Sequence, residues 1–224
     1  MRRLAIYDMD RTITHAPTWG AFLVSTAMGR QPWRLALLPA AAIASAGYAL
    51  RLIDRARLKQ VSQRLLIGKS IAKADAEAAA ACFADRIVAA GVFAGARAQI
   101  AADKAAECRL VMATASYGFY AAAIGARLGF DDVIATGVAR DADGGVLARI
   151  EGENCYGPAK LRMIEAWLAG QRIARRDAHV RFYSDHLSDA PSLAWADEAF
   201  AVNAHGPLRT LARARGWTIV DWER

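Results

Sequence analysis

Two aspartates end a short apolar run near the start of the chain, in the stretch RLAIYDMDRTIT at residues 3–14. Asp8 and Asp10 stand two positions apart, so at the end of a strand both carboxylates point to the same side. Carboxylates held this close repel each other, and they are tolerated when a cation lies between them or when one is protonated for chemistry. A turn or a helix cap, with Thr12 as a further capping residue, is the structural alternative, and the pair alone leaves both open.

Three later segments carry groups that suit an anion or a cation. The run RLVMATAS brings Thr114 and Ser116 to the end of a predicted strand, where a hydroxyl and the next helix amides can bind a phosphate oxygen. Lys160 lies in the first turn of a predicted helix, where the helix dipole disfavours a cation, so its position favours a nearby anion. Asp185 and Asp189, four residues apart in VRFYSDHLSD, suit a hard cation held by oxygens. Capping or solvent exposure would explain each residue taken singly.

The elements that must position these residues follow from the hydrophobic periodicity. A strand is predicted at 3–8, and almost only helical periodicity follows up to residue 105. The predicted helices of this block are 17–29, 33–52, 55–66, 73–90 and 94–105. Beyond it, the predicted strands are 108–115, 132–137, 146–150, 179–184, 198–202 and 218–221, and the predicted helices are 117–128, 158–171, 188–196 and 206–215.

This order of elements predicts the fold class. Strands alternating with helices indicate an α/β fold with a mainly parallel sheet flanked by helices. The segment RDADGG joins the strands at 132–137 and 146–150 into a hairpin. The all-helical block after the first strand is an insertion at the carboxyl edge, where open α/β sheets bind their ligands.

Taken together, the four segments resemble the motif signature of the haloacid dehalogenase (HAD) superfamily. That signature is a strand with DxDxT, a strand ending in Thr or Ser, a helix with Lys, and a strand with DxxxD. The chain is similar in particular to the phosphoserine-phosphatase-like branch, subfamily IB, in which a helical cap follows the first motif. The resemblance implies a Rossmann-like HAD core at 1–15 and 105–224 and a cap at 16–104, which matches only by position and helical character.

The resemblance also implies roles for the residues. Asp8 matches the nucleophile that forms an aspartyl-phosphate, and Asp10 matches the general acid and base. Thr114 and Lys160 match the groups that hold the phosphoryl oxygens. The Mg²⁺ ligands would be Asp8, Asp185 and the main-chain carbonyl of Asp10. The supporting residues would be Thr12, Ser116 and Asp189.

Two residues depart from the family pattern. Arg11 stands where the family usually has Gly, and His186 follows the metal-ligand aspartate where a small residue is more usual. Neither change removes a group that the chemistry needs. The presence of Asp10 favours a phosphatase or phosphomutase over a dehalogenase, because a halide leaves without protonation.

Composition and charge bound the class of protein and its partners. The 224 residues are 55% hydrophobic and 23% charged with a net charge of +7, which indicates a globular chain with an anionic partner. The arginines are spread without a dense basic tract between aromatics, so nucleic acid is not predicted as a partner. Three cysteines without a CxxC pattern, and an apolar run broken at Asp8, predict a cytoplasmic protein with reduced thiols.

An uncharged segment, LALLPAAAIASAGYAL at 35–50, lies between Arg34 and Arg51. Sixteen residues fall short of the ~18–20 needed to cross a bilayer. The segment is therefore either a buried or cap-forming helix pair or an element lying at a membrane interface, with possible peripheral membrane contact through 33–51.

These observations predict an Mg²⁺-dependent phosphatase that hydrolyses a small soluble phosphomonoester. A lipid phosphate met at the membrane surface is the alternative substrate. A catalytically idle HAD fold that binds a partner through 35–50 is the alternative of another class. The sequence makes no prediction of the oligomeric state.

Overall fold

The computed structural model describes residues 1–222. The strands are β1 (Arg2–Tyr7), β2 (Ser70–Ile71), β3 (Arg109–Tyr117), β4 (Asp132–Arg140), β5 (Val146–Glu151), β6 (Ala178–Ser184), β7 (Glu198–Val202) and β8 (Thr218–Val220). The α-helices are α1 (Thr18–Arg30), α2 (Leu38–Ala49), α3 (Arg55–Leu66), α4 (Lys73–Ala90), α5 (Ala94–Ala105), α6 (Gly118–Leu128), α7 (Pro158–Gly170), α8 (Ala190–Trp195) and α9 (Gly206–Arg215). Short 3-10 helices lie at Pro32–Leu37, Arg175–Asp177 and Leu187–Asp189.

The strands of residues 1–222 form one eight-stranded sheet in the order β2-β5-β4-β3-β1-β6-β7-β8. The six neighbouring strands β4, β3, β1, β6, β7 and β8 are parallel to one another. At one edge of the sheet, β5 pairs antiparallel with β4, and β2 pairs antiparallel with β5. The predicted α/β fold with a mainly parallel sheet is therefore confirmed, as is the hairpin of β4 and β5. The first strand lies in the middle of the sheet, with Tyr7 opposite Met112 of β3 and Tyr183 of β6.

Two apolar layers cover the two faces of the sheet. On one face, Ala5 and Tyr7 of β1 belong to a core that also contains buried residues of α1, α4, α5 and α6. On the other face, Leu4 and Ile6 pack with buried residues of α7, α8 and α9. Alternate residues of β1 thus serve opposite cores, as expected of a strand buried on both sides.

Two of the predicted elements are wrong in detail. The single helix predicted at 33–52 is a 3-10 helix at Pro32–Leu37 followed by α2, because Pro39 has no amide to donate and fits only the first turn of an α-helix. The insertion is not entirely helical, since its residues Ser70–Ile71 form β2 and extend the sheet. No helix within residues 1–222 has the length and apolar character needed to cross a membrane.

Helix α5 is tied to the sheet by a buried carboxylate. Asp103 accepts hydrogen bonds from the hydroxyl of Tyr7 on β1 and, at 2.7 Å, from Nη1 of Arg181 on β6. The ring of Tyr7 stacks on that of Tyr183 at 4.2 Å between centroids. The division into a core and an insertion at 16–104 stays a prediction, and this packing of α5 favours a boundary nearer residue 93.

Replacing this carboxylate tests how strongly α5 is anchored. We expect Asp103→Ala to lower the free energy of unfolding by about 2–4 kcal/mol, because the Tyr7 hydroxyl and Arg181 both lose their buried acceptor. Urea unfolding measures the change, with Glu165→Ala, at an exposed position of α7, as the control. A loss no larger than that of the control would contradict the anchoring role.

Candidate active site

The carboxyl edge of the sheet brings Asp8 and Asp185 together. Asp8 directly follows β1, and its amide donates to the carbonyl of Tyr183 at 2.9 Å. Asp185 directly follows β6, the neighbouring parallel strand. Because parallel strands end at the same edge, both carboxylates line one cavity, as the sequence predicts.

Lys160 is the buried lysine that lines this cavity. Its side chain is almost completely buried in the first turn of α7, and Nζ donates to Oδ1 of Asp8 at 2.8 Å and to Oδ2 of Asp189 at 2.6 Å. The hydroxyl of Ser184 also donates to Oδ2 of Asp189, at 2.7 Å. The anion expected near this lysine is thus a pair of carboxylates, and Lys160 connects the predicted nucleophile to the loop after β6.

Burial and charge act on these groups in opposite directions. Burial raises the pKa of Asp8 to about 7; Lys160 lowers it, and the charges of Asp189 and Asp185 raise it. Burial alone would lower the pKa of Lys160, but Asp189 and Asp8 outweigh it and hold that pKa above its usual value. Burial also raises the pKa of Asp185. Lys160 therefore stays charged, while burial disfavours the ionised forms of Asp8 and Asp185.

A divalent cation bound beside Asp8 and Asp185 would stabilise their ionised forms. The predicted ligands are the carboxylates of Asp8 and Asp185 and the main-chain carbonyl of Asp10, an all-oxygen set that suits Mg²⁺. Within residues 1–222 no group of three or more His, Cys, Asp or Glu side chains could hold a metal, and the predicted set does not require three side chains. Oδ1 of Asp189 is buried and finds no hydrogen-bond partner in the described part of the chain. The residues present thus fit a magnesium ion, and its binding stays a prediction.

Asp10 is held by donors from two separate elements. Its Oδ1 accepts from the amide and the hydroxyl of Thr18, both at 2.7 Å, and its Oδ2 accepts from the hydroxyl of Ser116 at 2.9 Å. Thr18 begins α1, the first helix of the insertion, and Ser116 lies near the end of β3. The orientation of this carboxylate therefore depends on how the insertion sits on the sheet.

The other predicted residues differ in their placement. Thr12 contacts the predicted metal ligand: its Oγ1 accepts from the amide of Asp185 at 2.9 Å and donates to Oδ1 of that residue at 3.3 Å. Thr114 is fully buried and does not line the cavity; its hydroxyl accepts the amide of Ser116 at 3.1 Å. The pairing of β3 with β4 shifts register between Thr114 and Tyr117, which breaks the alternation of side chains there. The phosphate contact of Thr114 stays a prediction.

The cavity above Asp8 has a volume of about 270 Å³ and a basic rim. Besides the acids and Lys160, the residues that line it are Arg11, Pro17, Arg55, Ala115, Tyr156, His186 and Ser188. The guanidinium of Arg55 lies 4.3 Å from the centre of the Tyr156 ring, a cation–π contact that fixes its position. Nδ1 of His186 accepts the amide of Ser188 at 3.1 Å, so this departure from the family pattern also caps the 3-10 turn after β6.

Sequence reasoning missed one buried contact of the insertion. Lys59 of α3 reaches into the sheet, where Nζ donates to Oδ1 of Asn154 at 2.6 Å, to the hydroxyl of Thr136 at 3.4 Å and to the carbonyl of Ala115. Lys59 follows Arg55 by four residues, so both lie on one face of α3. That spacing is the signal that could have identified the inward face. The two hydrogen bonds of Thr18 had no comparable signal.

The chain resembles known proteins in sequence and in structure. A model of the haloacid dehalogenase-like hydrolase family matches residues 5–194. Phosphoserine phosphatase SerB1 of Mycobacterium tuberculosis is 38% identical over 104 residues, or 46% of this chain and 32% of that protein. The matched segments span only 32–45% of the length of the curated relatives.

Two solved structures show the same architecture. A Bordetella pertussis protein with unknown function has a TM-score of 0.88 and 25% identity, over 99% of both chains. A phosphoserine phosphatase, solved as a phospho-aspartyl intermediate analogue, has a TM-score of 0.64 and 17% identity, over 100% of this chain and 94% of that one. The fold is thus phosphoserine-phosphatase-like.

Lys59 should give the folded chain a measurable pH dependence. Burial, and next the charge of Arg55, lower the pKa of Lys59 to about 7, against 10.5 for a free lysine. Between these values the folded chain binds fewer protons than the unfolded chain, so its free energy of unfolding rises with pH by up to ~1.4 kcal/mol per pH unit. We expect Lys59→Met to lose this increase in urea unfolding at pH 7, 8 and 9.

The matched control is Lys104→Met, at an exposed lysine of α5. Its stability should follow that of the wild type across the same pH range. A stability difference between wild type and Lys59→Met that stays constant with pH would show that the pKa of Lys59 is not lowered.

Proposed function

Because the chain belongs to the haloacid dehalogenase-like hydrolase family, we propose that it is an Mg²⁺-dependent phosphatase acting on a phosphomonoester through an aspartyl-phosphate on Asp8. The observation that carries the proposal is the ion pair of Lys160 with Asp8 at 2.8 Å inside a cavity that Asp10 and Asp185 also line. A nucleophile, a proton donor and a cation thus share one space. The phosphatase among its relatives supports the same chemistry.

The proposed reaction has two steps. An oxygen of Asp8 attacks phosphorus, the bond from phosphorus to the leaving oxygen breaks, and Asp10 gives its proton to that oxygen. Asp10 then takes a proton from water, the water oxygen attacks phosphorus, and the bond to Asp8 breaks to release phosphate. Lys160 offsets the repulsion between the carboxylate and the phosphate throughout. Bound magnesium would supply additional positive charge beside the phosphoryl oxygens.

The two steps together need a carboxylate that gives a proton in the first step and takes one in the second. The three hydrogen bonds to Asp10 from Thr18 and Ser116 hold it at the cavity wall in one orientation. Tyr120 supports this group from beneath, since its hydroxyl lies 3.1 Å from that of Thr18. A proton donor that is already oriented in this way does not have to lose rotational freedom during the reaction.

The rim of the cavity bears on the substrate. Its volume of about 270 Å³ suits a small phosphomonoester, and Arg11 and Arg55 favour a leaving group that carries negative charge. We propose such a small soluble compound as the first candidate and cytoplasm as the location. All the acids that the chemistry needs are present, so a catalytically idle binding protein has less support.

A lipid phosphate is the second candidate, and one observation favours it. Leu50 and Leu52 are 71% and 76% exposed, and they lie five and three residues before Arg55, the first residue of α3, which lines the cavity. An apolar tail attached to the phosphate would find these side chains next to the rim.

Substitution of the nucleophile tests the proposal directly. We expect Asp8→Asn to lower the rate of phosphate release from para-nitrophenyl phosphate with Mg²⁺ by on the order of a thousandfold or more, because the amide cannot attack phosphorus. Asp143→Asn, in the exposed turn of the β4–β5 hairpin, is the control and should keep wild-type activity. Full activity of Asp8→Asn, or no dependence of wild type on Mg²⁺, would contradict the mechanism.

Thr18 should act through Asp10 as a positioning residue. We expect Thr18→Ala to lower kcat about tenfold for an alkyl phosphate, whose alkoxide needs the proton of Asp10 in order to leave. The loss should be clearly smaller for para-nitrophenyl phosphate, because its phenolate leaves without protonation. Thr18→Ser restores the hydroxyl and should restore kcat, whereas equal losses for both substrates would indicate a purely structural role.

A further inference from the structure

The net positive charge of the chain comes from one segment. The stretch 30–69 contains eight Lys or Arg side chains and a single acid, Asp54, whereas the rest of the chain contains equal numbers of basic and acidic side chains. The formal net charge of +7 is therefore carried by this stretch of the insertion alone. The remainder of the chain is electrically balanced. Within the stretch, Lys59 is buried against the sheet and Arg30 pairs with Asp75, so the exposed excess charge comes from the other five arginines and Lys69.

The same segment exposes large apolar side chains. Six of the nine large apolar residues that are exposed within residues 1–222 lie in it, with exposures of 37–76%. These six are Trp33, Leu38, Ile43, Tyr48, Leu50 and Leu52. The 3-10 helix Pro32–Leu37 buries none of its residues, and α2, Leu38–Ala49, buries only Ala41. A helix that packs in a protein core would bury a whole apolar stripe, so α2 presents its apolar side chains outward.

The turn between α2 and α3 projects two of these residues. The amide of Leu52 donates to the carbonyl of Gly47 at 2.9 Å, and Arg51 adopts a left-handed conformation with φ of +61°. This turn places exposed Leu50 and Leu52 on either side of an exposed arginine. At the other end of the segment, the guanidinium of Arg34 lies over the ring of Trp33 at 4.7 Å. Cationic groups thus lie at both ends of an uncharged apolar stretch.

We propose that this basic apolar surface, residues 32–52 together with Arg55, docks on a membrane that contains anionic lipids. Arginine charges would pair with the headgroups while Leu and Ile side chains enter the acyl boundary, and Trp33 and Tyr48 suit the interface itself. Helix α2 is about 18 Å long, too short for the ~30 Å of a hydrocarbon core, so it lies along the surface. A protein partner would need acidic groups placed to match each arginine, whereas anionic lipids rearrange to meet them.

Docking would also orient the candidate active site. Arg55 lines the cavity above Asp8 and follows Leu52 by three residues, which span at most about 11 Å of chain. The cavity rim therefore comes close to the headgroup layer when the surface is docked. This part of the inference, which rests on the proposed function, makes an anionic lipid phosphomonoester the substrate class that the docked enzyme would meet.

The test measures binding apart from catalysis. Asp8→Asn protein is mixed with vesicles of phosphatidylcholine alone, or of phosphatidylcholine and phosphatidylglycerol in a two-to-one mixture, and the pellets are assayed after centrifugation. We expect binding to the anionic vesicles that weakens as salt rises, and little binding to the neutral ones. Leu50→Asp with Leu52→Asp should reduce the partition coefficient at least about tenfold, because two exposed leucines no longer enter the bilayer.

The control adds the same charge elsewhere. Ala98→Asp with Ala101→Asp changes two exposed positions of α5 and should leave vesicle binding unchanged within twofold. Equal loss in both double variants would show attraction by net charge alone and would overturn the docking surface. Absence of binding to anionic vesicles would overturn it as well, and so would dimers of the parent that become monomers in Leu50→Asp with Leu52→Asp without any vesicle binding.

Phosphatase activity is read separately in the same experiment series. The double variant Leu50→Asp with Leu52→Asp, made in the wild-type protein, should hydrolyse soluble para-nitrophenyl phosphate at the wild-type rate. Loss of vesicle binding with this activity intact supports docking. A wild-type protein that binds vesicles but has no phosphatase activity would refute the proposed function and leave docking standing.

Discussion

The buried ammonium group of Lys160 organises the carboxyl edge of the sheet. Four acidic side chains lie within or beside one cavity, and their mutual repulsion would destabilise the fold if no cation were there. Lys160 bridges Asp8 and Asp189, and so connects the end of β1 to the turn after β6 through α7. Burial nevertheless raises the pKa of both Asp8 and Asp185, so the bridge does not fully offset their loss of hydration. A bound metal ion would favour the ionised forms of these carboxylates and would reduce their repulsion of a phosphate.

The insertion contributes to this edge through hydrogen bonds and not only as a cover. Thr18 holds Asp10 from above, and Lys59 donates to groups of β3, β4 and the loop before α7. Phe22 of α1 stacks on Tyr120 of α6 at 4.5 Å between centroids, which joins the insertion to the apolar layer of the sheet. Thr18 of the insertion and Ser116 of β3 together position the predicted proton donor, so its orientation depends on both parts of the chain.

Much of this arrangement could be predicted from the sequence, because parallel strands end at a common edge. The i, i+2 spacing of Asp8 and Asp10, and the position of Asp185 after a strand, needed no more than that rule. Contacts set by distant packing could not be predicted in this way. Ser70–Ile71 is too short to show a period, the register shift after Thr114 has no sequence signature, and Lys59 meets Asn154 across 95 positions. Pro39 does carry a signal, because it cannot lie in the interior of an α-helix, but the apolar run continues on both sides of it and by periodicity alone indicates one helix.

The pairing of β2 with β5 limits how the molecule can open. Main-chain bonds at Ser70 and Ile71 fasten the segment after α3 to the sheet, while Lys59 fastens α3 and Phe22 fastens α1. A swing of the whole insertion would break all three attachments at once. The stretch from Pro32 to Asp54 contacts α3 through Arg34, whose Nη1 donates to the carbonyl of Leu65 at 2.8 Å, but it buries little more than Ala41. Arg55, which lines the cavity, directly follows this stretch, so whatever binds the outer side of the stretch acts next to the cavity wall.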